Sequence, residues 1–172
     1  MKILYAPWRS SYVKFGGKKP KKESGECPFC SKFEKGTEHD AEHLILRRFK
    51  HCVVMLNLHP YNAGHVLVIP YMHVPALHLL TKEIRTELIE VTTTITKLYQ
   101  ELFACDGLNM GYNSGKASGG SVPEHMHIHV LPRFIGDTGF LAALANTKPI
   151  SFEINTVYAQ LKEPFAQLQI DY

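Results

Sequence analysis

Three histidines at alternate positions form the most chemically informative pattern in the chain. His125, His127 and His129 alternate with apolar residues, and the glycine-rich stretch NSGKASGG at 113–120 precedes them. Because successive side chains of a strand point to opposite faces, the three imidazoles are predicted to share one face of a β-strand. Backbone N–H groups of a glycine-rich loop can approach an anion closely. The combination predicts a phosphate site that contains a histidine nucleophile.

Three chemistries compete for such a row of histidines. All three could bind one metal ion, but neighbours on one strand face lie ~6–7 Å apart, so three from a straight strand cannot easily reach a common ion. A purely structural row would need three buried sets of hydrogen-bond partners. In the third, one neutral imidazole attacks phosphorus while the others orient it or donate to the phosphate. Nucleotidyl transfer is the favoured chemistry, because the loop also supplies N–H donors for the charge of the transition state.

The apolar patterns predict the strands that must position these histidines. Apolar, β-branched runs at 44–48 and 52–57 are predicted to form two antiparallel strands, and a third runs from His65 to Pro70. Residues 108–113 are predicted to form a strand that leads into the glycine-rich loop and the histidine strand. His65 follows a glycine at the start of its strand, a position that suits a side chain directed into a site.

Helical spacing is clearest between Thr81 and Phe103. Apolar residues recur there every three or four positions, which predicts an amphipathic helix with Thr81 as N-cap. The predicted apolar stripe is Ile84, Leu88, Val91, Ile95, Leu98 and Leu102. Two shorter helices are predicted at 141–145 and at 155–163, the second ending at Pro164.

Composition sets the class of protein. The chain has 172 residues, 45% hydrophobic and 20% charged, as expected of one globular domain. A net charge of +3 is far below that of a typical nucleic-acid binder, and no apolar run approaches the ~20 residues of a membrane span. The N-terminus does not resemble a secretory signal, and four cysteines do not form a disulfide framework in a chain of this length. A cytoplasmic protein without a membrane partner is expected.

The sequence CPFC, from Cys27 to Cys30, leaves several interpretations open. Two cysteines at this spacing can bind one metal ion, and zinc would need two further ligands from elsewhere. A redox role would need a thioredoxin-like βαβ context, which the pattern lacks. Two ordinary cysteines are the third interpretation. Before them, residues 1–26 are predicted to form an N-terminal arm and a solvated, lysine-rich linker that holds Lys18 and Lys22.

Two stretches resemble signatures of a known family. The run HMHIHVLPR at 125–133, preceded by GGSVPE, resembles the histidine triad (HIT) motif, and GHVLVIP at 64–70 resembles the second signature of that family. The resemblance spans roughly Cys27 to Arg133. APWRSSY, CPFC, NLHPYNAGH and an extension after GDT are more particularly similar to the bacterial branch related to diadenosine tetraphosphate phosphorylases and hydrolases.

The resemblance implies a role for each of several residues. His127 would be the nucleophile that becomes nucleotidylated, His129 would contact the phosphate, and His65 would complete the site. The expected nucleotide-binding residues are Asn57 for the ribose, Met55 for the base pocket, and Asn113, Gly120 and Ser121 for the phosphate and leaving group. The expected zinc ligands of a closed, structural site are Cys27, Cys30, His73 and His125. No organic cofactor is implied.

One departure concerns the loop before the triad. Four residues, 121–124, join Gly120 to His125, where compact members have one fewer, so Ser121 need not superpose on the usual serine. Histidine rather than glutamine at position 129 favours hydrolase-like members over the uridylyltransferase branch.

The resulting hypothesis is a single HIT-like α+β domain over 1–172, with an arm and linker at 1–26, a core at 27–133 and a helical extension at 134–172. An antiparallel sheet of about five strands would pack against the long helix, and two copies would form a homodimer. The expected function is cleavage of a dinucleoside polyphosphate, with water or phosphate as acceptor. A nucleoside phosphoramidase and a nucleotide-binding regulatory protein are the alternatives.

Overall fold

The computed structural model describes residues 27–139, 148 and 150–170. The predicted N-terminal arm, the lysine-rich linker and the predicted helix at 141–145 lie outside these residues. None of the helices in the described part of the chain has both the length and the apolar character needed to cross a membrane.

In the described part of the chain, five antiparallel strands form one sheet, as predicted from the sequence. The strands are β1 (Ile45–Arg48), β2 (Cys52–Leu56), β3 (Val66–Pro70), β4 (Gly107–Tyr112) and β5 (Ile128–Arg133), in the spatial order β1-β2-β3-β5-β4. Sequence neighbours therefore pair, except that β5 inserts between β3 and β4. The insertion gives β5, which begins directly after His127, a neighbouring strand on each side. It leaves β4 at an edge of the sheet.

The predicted histidine strand is shorter than expected. β5 begins at Ile128, so His125 and His127 precede the ladder and only His129 lies within it. The neighbouring strand β3 ends at Pro70, which has no N–H to continue the pairing. The alternation of side chains nevertheless persists through the whole segment, because Met126, Ile128 and Val130 all enter the same core cluster.

Helix α2 (Lys82–Phe103) follows the predicted bounds, and the Thr81 hydroxyl accepts a hydrogen bond from the Ile84 N–H. The apolar stripe was wrong at its C-terminal end: Leu102 is 42% exposed, and the fully buried residue there is Tyr99. The Tyr99 hydroxyl donates to the Gly64 carbonyl at 2.5 Å, so a polar group was needed at this buried position. A short helix α1 (Cys30–Phe33) was not predicted.

The C-terminal helix α3 (Ile154–Ala166) continues past Pro164, where the sequence predicted its end. The next residue, Phe165, is completely buried, with its ring centroid 5.9 Å from that of Tyr99. The Arg47 guanidinium donates to the carbonyls of Phe165 and Ala166 at the helix end. Core packing and these hydrogen bonds therefore hold the last turn in spite of the proline.

The two faces of the sheet pack against two different hydrophobic clusters. One face packs with α2 and α3 around the main core, which includes Leu88, Ile95 and Leu161. The other face carries a smaller cluster formed by Phe29, Ile45, Val53, Met55, Leu67 and Ile69. His125 and His127 contact Phe29, so the odd-numbered histidines lie on the side of the smaller cluster.

Candidate active site

His127 is held in one tautomer by the main chain. Its Nδ1 lies 2.9 Å from the His125 carbonyl oxygen, an acceptor, so Nδ1 carries the proton and donates it. Burial lowers the pKa of His127, and this hydrogen bond opposes the shift only in part. At neutral pH the ring is therefore uncharged, with its lone pair on Nε2. A neutral imidazole with a fixed Nδ1–H is the form of histidine that attacks an electrophile.

A second chain of hydrogen bonds fixes His65 and His129. The Tyr61 N–H donates to His65 Nδ1 at 3.2 Å, which leaves the proton of His65 on Nε2. His65 Nε2 then donates to His129 Nδ1 at 3.0 Å. The proton of His129 must consequently be on Nε2, and that nitrogen is buried and has no hydrogen-bond partner among the described residues. Such an N–H group can donate to an acceptor on a ligand.

Electrostatics keep this pair neutral. Burial, together with repulsion from His129 and His127, lowers the pKa of His65 to about 3. Burial and repulsion from His127 lower the pKa of His129 to about 4. The ring centroids of His127 and His129 are 4.9 Å apart. The site thus places the lone pair of His127 beside the N–H donor of His129, and both of these rings are uncharged at pH 7.

The residues expected to bind the nucleotide fall on both sides of this pair. The Asn57 amide nitrogen lies 3.3 Å from His65 Nδ1, and Asn57 Oδ1 accepts from the His59 N–H. Met55 is buried and pairs across the sheet with Leu67, which in turn pairs with His129. Asn57 and Met55 therefore lie towards β2, on the side of the smaller cluster.

A cleft of about 350 Å³ opens on the opposite side, over β4. Asn113 lines it, whereas Gly120 lies close behind, because a Cβ added at Gly120 would be 3.2 Å from the Asn113 Cβ. Ser121 is exposed and does not line the cleft; Ser118 and Gly119 do. The complete lining consists of Tyr61, His65, Asn109, Met110, Gly111, Tyr112, Asn113, Ser118, Gly119, His129 and Leu131.

The four expected metal ligands come together in the structure. Ligand atoms of Cys27, Cys30, His73 and His125 all lie within 4.8 Å of one another. The Cys27 and Cys30 Sγ atoms are 3.3 and 3.5 Å from His125 Nδ1, and Cys30 Sγ is 3.4 Å from His73 Nδ1. Zinc–sulfur and zinc–nitrogen bond lengths in a tetrahedron place such donors roughly 3.6 Å apart. The donor set therefore fits zinc in both chemistry and size.

His125 is oriented for ligation by its other nitrogen. Its Nε2 lies 2.8 Å from the Pro70 carbonyl oxygen, so Nε2 is the protonated donor and Nδ1 keeps the lone pair that faces the thiols. A ligating histidine that donates its second N–H to a carbonyl is the usual arrangement at metal sites.

Two residues near the histidines were missed in the sequence. Phe29, between the two cysteines, packs its ring against both His125 and His127, with centroids 5.5 and 5.1 Å away. Tyr61 contacts His65 through its ring as well as its N–H. Both are aromatic residues inside stretches that the sequence analysis singled out, but only the fold shows that they contact the histidines.

Comparisons with known proteins agree with this geometry. The sequence model of the HIT domain family matches residues 38–136. A Mycobacterium tuberculosis protein named AP-4-A phosphorylase is 35% identical over 147 residues, covering 86% of this chain and 75% of that protein. A Schizosaccharomyces pombe bis(5'-nucleosyl)-tetraphosphatase (asymmetrical) is 33% identical over 105 residues, or 61% of this chain and 54% of that one.

A solved structure extends the likeness to the fold. The crystal structure of a zinc-bound histidine triad family protein from Mycobacterium smegmatis superposes with a TM-score of 0.65 and 26% identity. The match covers 83% of this chain and 94% of that one.

Proposed function

Because the chain belongs to the HIT domain family, we propose that it cleaves dinucleoside polyphosphates through a nucleotidyl intermediate on His127. Two kinds of observation support this reaction. Relatives of this chain are named as a phosphorylase and a tetraphosphatase of such substrates. The hydrogen bond from His127 Nδ1 to the His125 carbonyl, at 2.9 Å, leaves Nε2 as a neutral nucleophile, and this is the observation that carries the proposal.

The reaction would proceed in two displacements. His127 Nε2 attacks the α-phosphorus, a P–N bond forms, and the bond to the bridging oxygen breaks, its electrons leaving with the nucleoside polyphosphate. The Nδ1 proton stays on the ring, where the His125 carbonyl stabilises the positive charge that develops. His129 Nε2–H, which has no partner in the described part of the chain, would donate to a phosphate oxygen. Water or inorganic phosphate then attacks phosphorus, and the P–N bond breaks to free His127.

The remaining assignments follow the geometry. His65 acts through His129, because it donates to His129 Nδ1 and so keeps the single N–H proton of that ring on Nε2. Asn57 and Met55, towards β2, would hold the transferred nucleoside. Asn113, with Gly120 and Ser121 in the following loop, would contact the phosphate chain.

Product analysis with diadenosine tetraphosphate tests the proposal. ADP and ATP formed only when inorganic phosphate is present would identify a phosphorylase, and AMP and ATP formed in plain buffer would identify a hydrolase. We expect His127→Ala to lower turnover by at least about 10³-fold, as loss of a covalent nucleophile does. Mass spectrometry of the quenched wild-type enzyme should find one adenylyl group on the His127 peptide. No turnover in either buffer would refute the proposal and favour a phosphoramidate substrate.

We further propose that Cys27, Cys30, His73 and His125 hold a structural zinc ion. All four positions of the tetrahedron come from protein, so the metal would supply cross-linking rather than catalysis. The cross-link would fix Phe29 against His127 and join α1 to the segment before β5. Thiol ligands need a reducing environment, which agrees with the cytoplasmic location expected from the sequence.

Elemental analysis and thermal unfolding test the zinc site. We expect about one zinc per chain, and a chelator should lower the melting temperature. Cys30→Ser should lose the metal, whereas Cys105→Ser, which changes a cysteine outside the cluster, should keep it. A metal-free wild-type protein with unchanged stability after zinc addition would contradict the site.

Finally, we propose a homodimer in which the edge strand β4 of one copy contacts that of the other. β4 is an edge strand, and Met110 and Tyr112 on it are 56% and 43% exposed. An exposed edge strand with large apolar side chains is a common pairing surface. Light scattering should give a dimer mass that falls to the monomer mass in Met110→Lys. A wild-type monomer at micromolar concentration would refute this assembly.

A further inference from the structure

The cleft over β4 has an aromatic wall that no step of the proposed reaction uses. Tyr61 lines this cleft, and its ring centroid is 4.9 Å from that of His65 and 6.5 Å from that of His129. We propose that Tyr61 stacks on the base of the leaving nucleoside and thereby selects substrates that carry two nucleosides. This inference rests on the proposed function and deepens it, because it assigns the half of the substrate that does not become attached to His127.

The direction of the leaving group follows from the sheet. Across one row of the sheet, Met55 pairs with Leu67, Leu67 with His129, and His129 with Gly111. The transferred nucleoside would lie towards Met55, on one side of the histidines. In phosphoryl transfer the attacking and leaving atoms are roughly in line on opposite sides of phosphorus. The leaving half therefore extends away from His127 Nε2. The cleft has room for this half, because Gly111 and His129 line it and His127 does not.

The floor of the cleft has room for a flat ring. Gly111 pairs with His129, and a Cβ added at Gly111 would have no atom within 4 Å. The cleft of about 350 Å³ is within the range of small-molecule sites. A residue without a side chain beside His129 thus leaves open the surface on which a base would lie.

The chemistry of the lining favours a base over a chain of phosphates. Among the described residues that line the cleft there is no lysine or arginine, and its histidines are neutral at pH 7. Asn109 keeps its amide N–H groups for the edge of a base or a ribose hydroxyl, since its Oδ1 accepts from Arg133, and Asn113 is left to the phosphate chain at the loop end of the cleft. Cationic side chains, which would favour phosphates along the rest of the cleft, are missing from its described lining.

Tyr61 is both positioned and accessible. Its N–H donates to His65 Nδ1 at 3.2 Å, which fixes its main chain beside the site. The ring planes of Tyr61 and His129 are only 23° apart, while the residue remains 48% exposed. A ring that is supported by imidazoles and is half open to solvent is a suitable stacking platform for a planar base.

Steady-state kinetics on two substrates test the inference. Diadenosine tetraphosphate has a second base, and adenosine 5′-tetraphosphate has the same phosphate chain without it. We expect Tyr61→Ala to lower kcat/KM for the dinucleotide by about tenfold, the effect of losing one base stack, and to change kcat/KM for the mononucleotide by less than about twofold. Tyr61→Phe should retain the preference for the dinucleotide.

Two further variants locate the effect. Gly111→Leu would place a side chain on the floor of the cleft and should also lower kcat/KM selectively for the dinucleotide. Leu58→Ala removes a 58% exposed side chain from the same loop as Tyr61, outside the cleft lining, and should leave the ratio of the two kcat/KM values unchanged.

The outcomes separate the inference from the function on which it rests. Equal losses on both substrates in Tyr61→Ala would overturn base stacking and show that the side chain acts through His65. Unchanged kinetics in Tyr61→Ala with an active wild-type enzyme would overturn the inference and leave the proposed function intact. No turnover of either substrate by the wild-type enzyme would overturn both.

Discussion

Replacement of Gly64 by alanine should unfold the chain more easily and disturb the site at the same time. Gly64 immediately precedes His65 and has a φ of +76°, a left-handed conformation that residues with a Cβ rarely adopt. An alanine Cβ would lie 2.9 Å from Phe103 Cε2 and 3.3 Å from Pro132 Cγ. The Gly64 carbonyl also accepts the hydrogen bond of the buried Tyr99 hydroxyl, so the backbone has little freedom to move away.

The cost can be worked out from these contacts. The left-handed conformation costs roughly 1–2 kcal/mol for a residue with a Cβ. Overpacking against Phe103 and Pro132 adds roughly 1–3 kcal/mol. The smaller entropy of the unfolded alanine chain offsets about 0.4–1 kcal/mol of this sum. We therefore expect Gly64→Ala to reduce the free energy of unfolding by about 3 kcal/mol, within a range of about 1–4.6 kcal/mol.

Urea denaturation followed by circular dichroism measures the change. Gly107→Ala is the matched control, because an added Cβ there has no atom within 4 Å and the backbone is not left-handed. It should change the free energy of unfolding by less than about 0.5 kcal/mol. In a double-mutant cycle, Phe103→Leu should relieve the steric part of the Gly64→Ala cost and leave the backbone part.

The catalytic consequence is separate from stability. Any shift of the backbone at residue 64 moves His65, whose Nε2–H holds the His129 ring in place. At a temperature where Gly64→Ala is fully folded, kcat/KM should therefore fall, whereas Gly107→Ala should keep the wild-type value. A Gly64→Ala protein as stable as the wild type would refute the steric and conformational reasoning. Additive effects of Gly64→Ala and Phe103→Leu on the free energy of unfolding would refute the role of Phe103.

Two further predictions concern charge. The pKa values of about 3 for His65 and about 4 for His129 lie below the ordinary 6.5, so the unfolded chain binds more protons than the folded chain between these values and pH 6.5. Stability should therefore decrease as the pH is lowered from 6.5 through this window, by up to about 1.4 kcal/mol per pH unit for each group, and His65→Asn should have the shallower slope in urea titrations. A slope identical to that of the wild type would contradict the shifted pKa. Arg48→Ala should cost about 2–3 kcal/mol, because the guanidinium binds the half-buried Asp40 carboxylate at 2.8 Å as well as the carbonyls of residues 33 and 35. Arg48→Lys should recover part of that loss, and an Arg48→Ala protein of wild-type stability would refute this account.

The sheet and the long helix could be predicted because their patterns are local. The apolar, β-branched run at 52–57 reflects a strand buried on both faces, and the run at 44–48 reflects its partly buried neighbour. The spacing that begins at Thr81 reflects a helix with one face buried against the core. The insertion of β5 between β3 and β4 could not be predicted from any single segment of the sequence, since strand order depends on pairing between distant segments. The predicted end of α3 was wrong, because the free energy that Pro164 costs the helix is smaller than the free energy gained by burying Phe165.

The candidate site likewise has a part that could be predicted from the sequence and a part that could not. Histidines and cysteines with a recognisable spacing are visible as candidates, and the fold brings Cys27, Cys30, His73 and His125 within ligating distance across 98 residues of sequence. Tyr61 could not be found, because a tyrosine in a loop is ordinary until its N–H is seen to donate to His65. Tautomers likewise depend on partners that only the folded chain provides.

The alternation of one short segment explains how three chemically identical side chains acquire different properties. His125, His127 and His129 point to the same side, but each meets a different neighbour. The lone pair of His125 Nδ1 faces two thiols because its Nε2 donates to the Pro70 carbonyl. His127 donates through Nδ1 to a carbonyl and keeps its lone pair on Nε2. His129 accepts through Nδ1 and so has its proton on Nε2. The roles proposed for these histidines, a ligand, a nucleophile and a hydrogen-bond donor, therefore differ in the partner of a single ring nitrogen, and exchanging that partner should be enough to change the role.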